Sequence, residues 1–234
     1  MYILQLDNKE NTGKTFRFET VVENNANPLH KNKTSYVRIL EVYYLGKNSY
    51  QILTIDSYFS HEDNSQGQLI KKISDLFDNI KLQTDAENSI IKITNTTELK
   101  LRWKEISSQI FKTNRGTELE NYFKAIDNLL DNTEELISFF GSYKMFGMLF
   151  NGHVGEYEDY TKKQRTIYLE SFEAIETLTF QNKTEEIIIK TNGINEGRYT
   201  GNGIFTYRNN NIVEGFVEEN KDNYHLKHSL LWIG

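Results

Sequence analysis

Two places in the chain set histidine beside carboxylates, the combination from which a metal site or an acid–base pair is made. One is His61-Glu62-Asp63. The other is His153 with Glu156, Glu158 and Asp159. A metal site needs ligands at a spacing that turns them toward one point, and neither run has such a spacing. His225 and His228 stand three apart in a β-like run, so alternation sends them to opposite faces and they cannot chelate one ion together. His30 is isolated. The chain has no cysteine, which removes disulfides, thiolate ligands and cysteine nucleophiles. No phosphate-binding loop, nucleophile elbow or zinc-protease helix motif is present. Residues 197–203 are glycine-rich, but no helix follows to offer its N-terminus to a phosphate. No pair of carboxylates is singled out by an apolar surround that would shift its ionisation. The residues therefore imply no metal and no cofactor. Catalysis through the loop 153–159 ranks third among the functional readings.

A formal charge of −6 argues against a general nucleic-acid binder, which needs clustered Lys and Arg to displace counterions from phosphate. Two short basic groups, Lys31/Lys33/Arg38 and Lys162/Lys163/Arg165, read as solvated surface because mixed-sign charge runs are normally exposed. The N-terminal residues lack the basic-then-apolar order of a signal peptide. No apolar run reaches the roughly 18 residues that span a bilayer. A cytoplasmic, bacterial protein without a membrane span is expected.

Apolar residues make up 38% of the 234 and aromatics 13%, enough for a packed core. Such a core is built from periodic segments. In the first sixty residues, 15–21 alternate with period two and place Phe16, Phe18 and Thr20 on one face. Residues 36–44 and 50–58 flank a short Gly/Asn loop and predict a hairpin. Residues 24–33, which hold the single proline Pro28, read as a loop.

The middle of the chain turns helical. Leu69, Ile70, Ile73, Leu76, Phe77 and Ile80 make one helical stripe. A small hairpin over 81–94 comes next. Asn95 with Glu98 predicts a capped helix start, and Thr117 with Glu120 predicts another. A further turn of helix begins near Asn132 and runs to Phe140 or beyond. Residues 139–150 have almost no polar relief. Phe139, Phe140, Tyr143, Phe146 and Phe150 are the candidate ligand- or partner-binding residues there, with core packing as the competing reading.

From 151 to 163 the chain reads as a polar loop. Short strands with recurrent turn signals, among them Asn192-Gly193 and Asn209-Asn210, then predict an antiparallel meander to the end. Within it, Gly201-Asn202-Gly203-Ile204-Phe205-Thr206-Tyr207, then Asn210 and Glu214-Gly215-Phe216, resembles a MORN-type hairpin, with paired glycines before one aromatic strand and a Gly-aromatic pair in the next. It covers residues 201–217 once. Asn stands where the turn usually has Gly, and Val213 where the repeat usually has Tyr. The resemblance implies a scaffold role, since MORN proteins stack several such repeats.

The expected fold is a single α+β domain over 1–234, with a division at 150/151 as the alternative. A strongly curved antiparallel sheet is built from N- and C-terminal arms, and a central helical block packs on it. The first functional reading is a non-catalytic protein-interaction protein, such as an adaptor, chaperone or immunity-type partner of another bacterial protein. The second is a carrier of a small apolar ligand or lipid in a half-barrel cavity.

Overall fold

The computed structural model describes residues 2–25, 32–169, 172–183 and 185–234. Pro28, His30 and Lys31 lie outside them. The order begins β1 (Tyr2–Leu4), β2 (Gly13–Asn24), β3 (Asn32–Gly46), β4 (Ser49–Phe59), α1 (Ser65–Ser74), a 3-10 turn (Asp75–Phe77), β5 (Asn79–Thr84) and β6 (Ile90–Ile93). Three helices follow, α2 (Thr96–Phe111), α3 (Thr117–Asp131) and α4 (Thr133–Gly141). The chain ends with β7 (Gly155–Tyr157), β8 (Lys162–Leu169), β9 (Phe172–Lys183), β10 (Glu186–Asn195), β11 (Tyr199–Arg208), β12 (Asn211–Lys221) and β13 (Tyr224–Trp232).

The fold is α+β. Eleven strands form one antiparallel sheet in the order β6-β5-β4-β3-β2-β13-β12-β11-β10-β9-β8, and β1 pairs separately with β7. The two arms meet where β2 pairs with β13, so the sheet is a meander from each edge joined at its centre. Lys47 and Asn48, both at positive φ, close the β3–β4 hairpin, and Asn209 and Asn210 close β11–β12 in the same way. Two left-handed residues in a two-residue loop match the right-handed twist of the strands they join. The hairpin over 201–217 therefore forms as a paired unit.

Laid flat, eleven strands at ~4.8 Å spacing would separate the two edges by about 48 Å. Instead, Lys163 on edge strand β8 sits 3.0 Å from Glu87 in the β5–β6 turn. The sheet curls until its edges face each other without pairing, and residues 151–154 fill the gap. Asn151 bridges to Ser89, and the Val154 amide donates to the Glu87 carbonyl.

The inner face of the curl carries Phe16, Phe18, Leu40, Ile52, Phe180, Ile189, Phe205 and Leu230, all buried. Helices and sheet share this core through Leu99, Trp103, Phe123, Leu136 and Phe140.

Local signals failed at a few places. The stripe running to Ile80 stops as a helix at Ser74, because Asn79–Thr84 alternates in burial and pairs with β4. Asn95 precedes α2 but does not cap it: its Oδ1 accepts from the Lys81 amide and its Nδ2 donates to the Asn79 carbonyl, tying the helix start to β5. Thr117 lies inside α3, behind Gly116. Asn132 does cap α4, accepting from the amides of Glu134 and Glu135. Asn192-Gly193 is no turn but mid-strand, with Gly193 opposite Gly201. Residues 155–157 and 162–163, expected in a loop, are in strands.

Phe146 has no exposed surface and stacks on Phe140 at 5.5 Å. Phe146→Ala should lower unfolding free energy in urea by about 3–5 kcal/mol, and Phe146→Asp should abolish soluble expression.

Candidate functional site

Residues 142–153 run without regular structure across the inner face of the sheet. A buried irregular backbone must find partners for its polar groups, and sheet side chains supply them. Arg38 on β3 donates from Nη2 to the Lys144 carbonyl at 3.0 Å and the Met145 carbonyl at 3.3 Å. Asn88 donates to the Leu149 carbonyl, and Arg165 on β8 donates to the Asn151 carbonyl. Both arginines were expected at the surface. They are inside because this segment needs donors long enough to reach it.

Arg38 is buried with no carboxylate in contact among the described residues. Its guanidinium lies over the rings of Phe18 (4.7 Å), Tyr36 (5.5 Å) and Phe146 (5.5 Å), so aromatic faces and carbonyls hold the charge. Burial pulls its pKa down to about 10.

Two carboxylates sit on the same inner row, Glu176 on β9 and Glu219 on β12, separated in register by Gly193 and Gly201. Glu176 takes the Tyr143 hydroxyl at 2.7 Å and the Arg165 Nε at 2.7 Å. Burial, then Glu176, pushes the Tyr143 hydroxyl well above its ordinary range. Glu219 takes the Tyr199 hydroxyl at 2.9 Å and faces His228 Nε2 at 3.0 Å, while His228 Nδ1 meets the Thr20 hydroxyl at 3.0 Å. The glycines admit the Tyr199 ring: a Cβ at Gly201 would collide with its hydroxyl, and one at Gly193 would lie 3.0 Å from Cε1.

Thr20, His228 and Glu219 stand in the order of a nucleophile, a base and an orienting carboxylate. Their setting does not complete an active site. The His228 ring is fully buried. β2, β13 and β12 are all interior strands whose amides serve the ladders, leaving no pair of donors for an oxyanion. What the arrangement does is satisfy buried polar atoms. Alternation correctly separates His228 from His225, which is on the other face near Glu23. Only the pairing of β13 with β2 and β12, which sequence periodicity does not carry, brings His228 to Thr20 and Glu219.

The structure does not assemble the cluster around His153. The His153 ring is buried, edge-on to Phe205, with Nδ1 3.1 Å from the Tyr207 hydroxyl. Burial, reinforced by Arg165, holds its pKa well below the ordinary value, so it is neutral. Glu156, Glu158 and Asp159 are exposed, and Asp159 accepts from the Asn182 amide instead. Glu62 of the other run is an ion-pair partner of Lys71 at 2.9 Å. Among the described residues no group of His, Asp and Glu is placed to hold a metal ion.

Phe140, Tyr143, Phe146 and Phe150 are buried and Phe139 is half-buried. Phe77 packs on Phe139 and Phe140, Tyr50 on Phe150, and Phe205 on Tyr143. Each of the five rings is thus packed against other side chains of the protein, Phe139 with part of its surface exposed.

Among the comparisons with known proteins, no family model matches the chain and no curated protein does. One solved structure, titled "Lipid-protein interactions in lipovitellin", resembles it over 97% of this chain, with a TM-score of 0.54 and 9% identity. The chain spans about 25% of that structure's length. At this identity the likeness is one of fold.

Asp78, beside the 3-10 turn, senses Arg38 without touching it. Burial, with help from Asp75, raises its pKa from 3.8 to about 6. The folded protein therefore holds this proton through a window in which the unfolded chain has released it, and stability falls as pH rises from about 4 to 6. Asp78→Asn should remove that slope. In thermal unfolding it should gain about 1 kcal/mol at pH 7.5, allowing for solvent screening, and nothing below pH 4.

Proposed function

We propose that the chain is a non-catalytic protein-interaction protein that meets its partner through the outer face of the curled sheet. The observation carrying this reading is an apolar strip on that face. Ile204 on β11 is the cross-strand partner of Phe216 on β12, and Leu231 on β13 lies diagonally beyond it. These side chains are 40%, 40% and 47% exposed, on three adjacent central strands. Charges border the strip, among them Lys190 next to Ile204 and the Arg17–Glu19 pair. An apolar centre with a polar rim is the composition of a recognition patch. The buried titratable groups, each engaged inside the protein, give no support to catalysis. A cytoplasmic adaptor, chaperone or immunity-type partner of another bacterial protein fits this description.

Phe216→Asp, at an exposed position, should leave the melting temperature unchanged. It should also abolish capture of whatever host protein the unaltered chain enriches in a pull-down read by mass spectrometry. If nothing is enriched over a bead control, or the variant captures the same protein equally well, the outer face is not the docking surface.

Carriage of an apolar ligand is the second reading, and the fold likeness to lipovitellin supports it. The inner face would be the place for such a cargo, and residues 142–153 would have to withdraw from it. Solvent extraction of the purified protein should then yield a stoichiometric lipid by mass spectrometry. An extract matching the buffer blank would remove this reading.

A further inference from the structure

One row of inward-facing residues crosses the middle of the sheet. Arg38 on β3 is the register partner of Phe18 on β2, and Phe18 of Leu230 on β13. The row goes on through Gly215 on β12, Phe205 on β11 and Ile189 on β10. Arg38, Phe18, Leu230, Phe205 and Ile189 are all buried. The row thus begins at a cation and continues apolar over five strand spacings, about 24 Å along the sheet.

Segment 142–153 lies on this row as an amphiphile would. Its polar end is the pair of carbonyls at Lys144 and Met145, which accept from Arg38 Nη2. Its apolar part follows: the Phe146 ring lies 5.5 Å from the guanidinium, and the Met148 methyl lies over Gly215, where a Cβ would stand 3.0 Å from it.

The fit at the polar end is incomplete. Nε and Nη2 lie on the same edge of a guanidinium, and their parallel N–H groups match the two oxygens of a carboxylate. On Arg38 two backbone carbonyls share Nη2, while Nε is buried and makes no hydrogen bond. A buried charge is costly unless it is paired, and an ionised acceptor binds a cation more strongly than a neutral carbonyl does. A carboxylate therefore suits this edge better than the carbonyls that occupy it.

We propose that this row is the binding site for a long-chain carboxylate, a fatty acid. Its head takes the Nε–Nη2 edge of Arg38, and its chain takes the place of Phe146 and Met148 as segment 142–153 withdraws. The proposal deepens the apolar-cargo reading and rests on it.

Met145 and Met148 are two of the three methionines of the chain, and both lie on the segment that must move. The test therefore uses the full chain labelled at its methionine methyl groups and followed by NMR, with the signals assigned by Met145→Leu and Met148→Leu. Palmitate should move both signals saturably. Hexadecanol, with the same chain and a neutral head, should bind at least about tenfold more weakly. Arg38→Lys keeps the charge but loses the two-donor edge, and should weaken palmitate about tenfold while leaving hexadecanol unchanged. The comparison of palmitate with hexadecanol needs only the unaltered chain, so it decides the matter even if the variant does not fold. Signals unmoved by palmitate, hexadecanol binding as tightly as palmitate, or undiminished palmitate binding by folded Arg38→Lys would each overturn the proposal. Tight binding of hexadecanol would still leave the apolar-cargo reading standing, so the two failures are distinguishable.

Discussion

A stretch of irregular backbone inside a protein must have its carbonyls and amides answered, and this requirement governs the molecule. Residues 142–153 lie inside the curl of the sheet, nearly all of them buried, with Ser142, Lys144 and Met145 only partly so. The two arginines that answer them come from strands far apart in sequence, Arg38 on β3 and Arg165 on β8. Removing either would leave carbonyls buried and unpaired, each costing about 1–3 kcal/mol. The same segment supplies Phe146 and Met148 to the core and Tyr143 to Glu176. Sheet curvature, the burial of both arginines and the placement of Glu176 are consequences of one choice: to fill the curl with a loop.

The polar groups inside follow the same logic. Thr20, His228, Glu219 and Tyr199 form a chain of hydrogen bonds along the inner face, and Tyr143, Glu176 and Arg165 form a second. Side chains that could do chemistry at an open site are here turned toward one another. Most buried polar side chains are thus partnered, and Arg38 Nε, Asn88 Oδ1 and His153 Nε2 are the buried side-chain atoms among the described residues that make no hydrogen bond. On the outer face, Ile204, Phe216 and Leu231 are partly exposed.

The sequence made the elements legible and left their partners hidden. The β3–β4 hairpin could be read because its information is local: two β-rich runs and a turn that tolerates positive φ at Lys47 and Asn48. The inward set of Phe16, Phe18 and Thr20 could be read from alternation alone. Asn95 misled because an amide that can cap a helix can also bond a neighbouring strand, and the strand was the nearer partner. Asn192-Gly193 misled because glycine serves a turn and a close ring contact equally well, and here the ring of Tyr199 requires it. Arg38 and Arg165 looked like surface because nothing near them in the chain reveals the carbonyls they meet. Residues 139–150 were legible as apolar, but whether they faced in or out depended on the curl, a property of the whole sheet.

The pairing of β2 with β13 has a kinetic consequence. Phe16 lies opposite Trp232, and Asn24 opposite Tyr224. The central seam of the sheet thus joins residues roughly 200 positions apart, and loop closure over that distance precedes any gain from the contact. Each meander can form its own hairpins early, but each then waits with one long, twisted, unpaired edge. Until β13 has left the ribosome, the edge of β2 that it will cover stays open to wrong partners. The seam holding the native sheet together is thus the last part to close, and the period before it closes is when the chain is most exposed to aggregation.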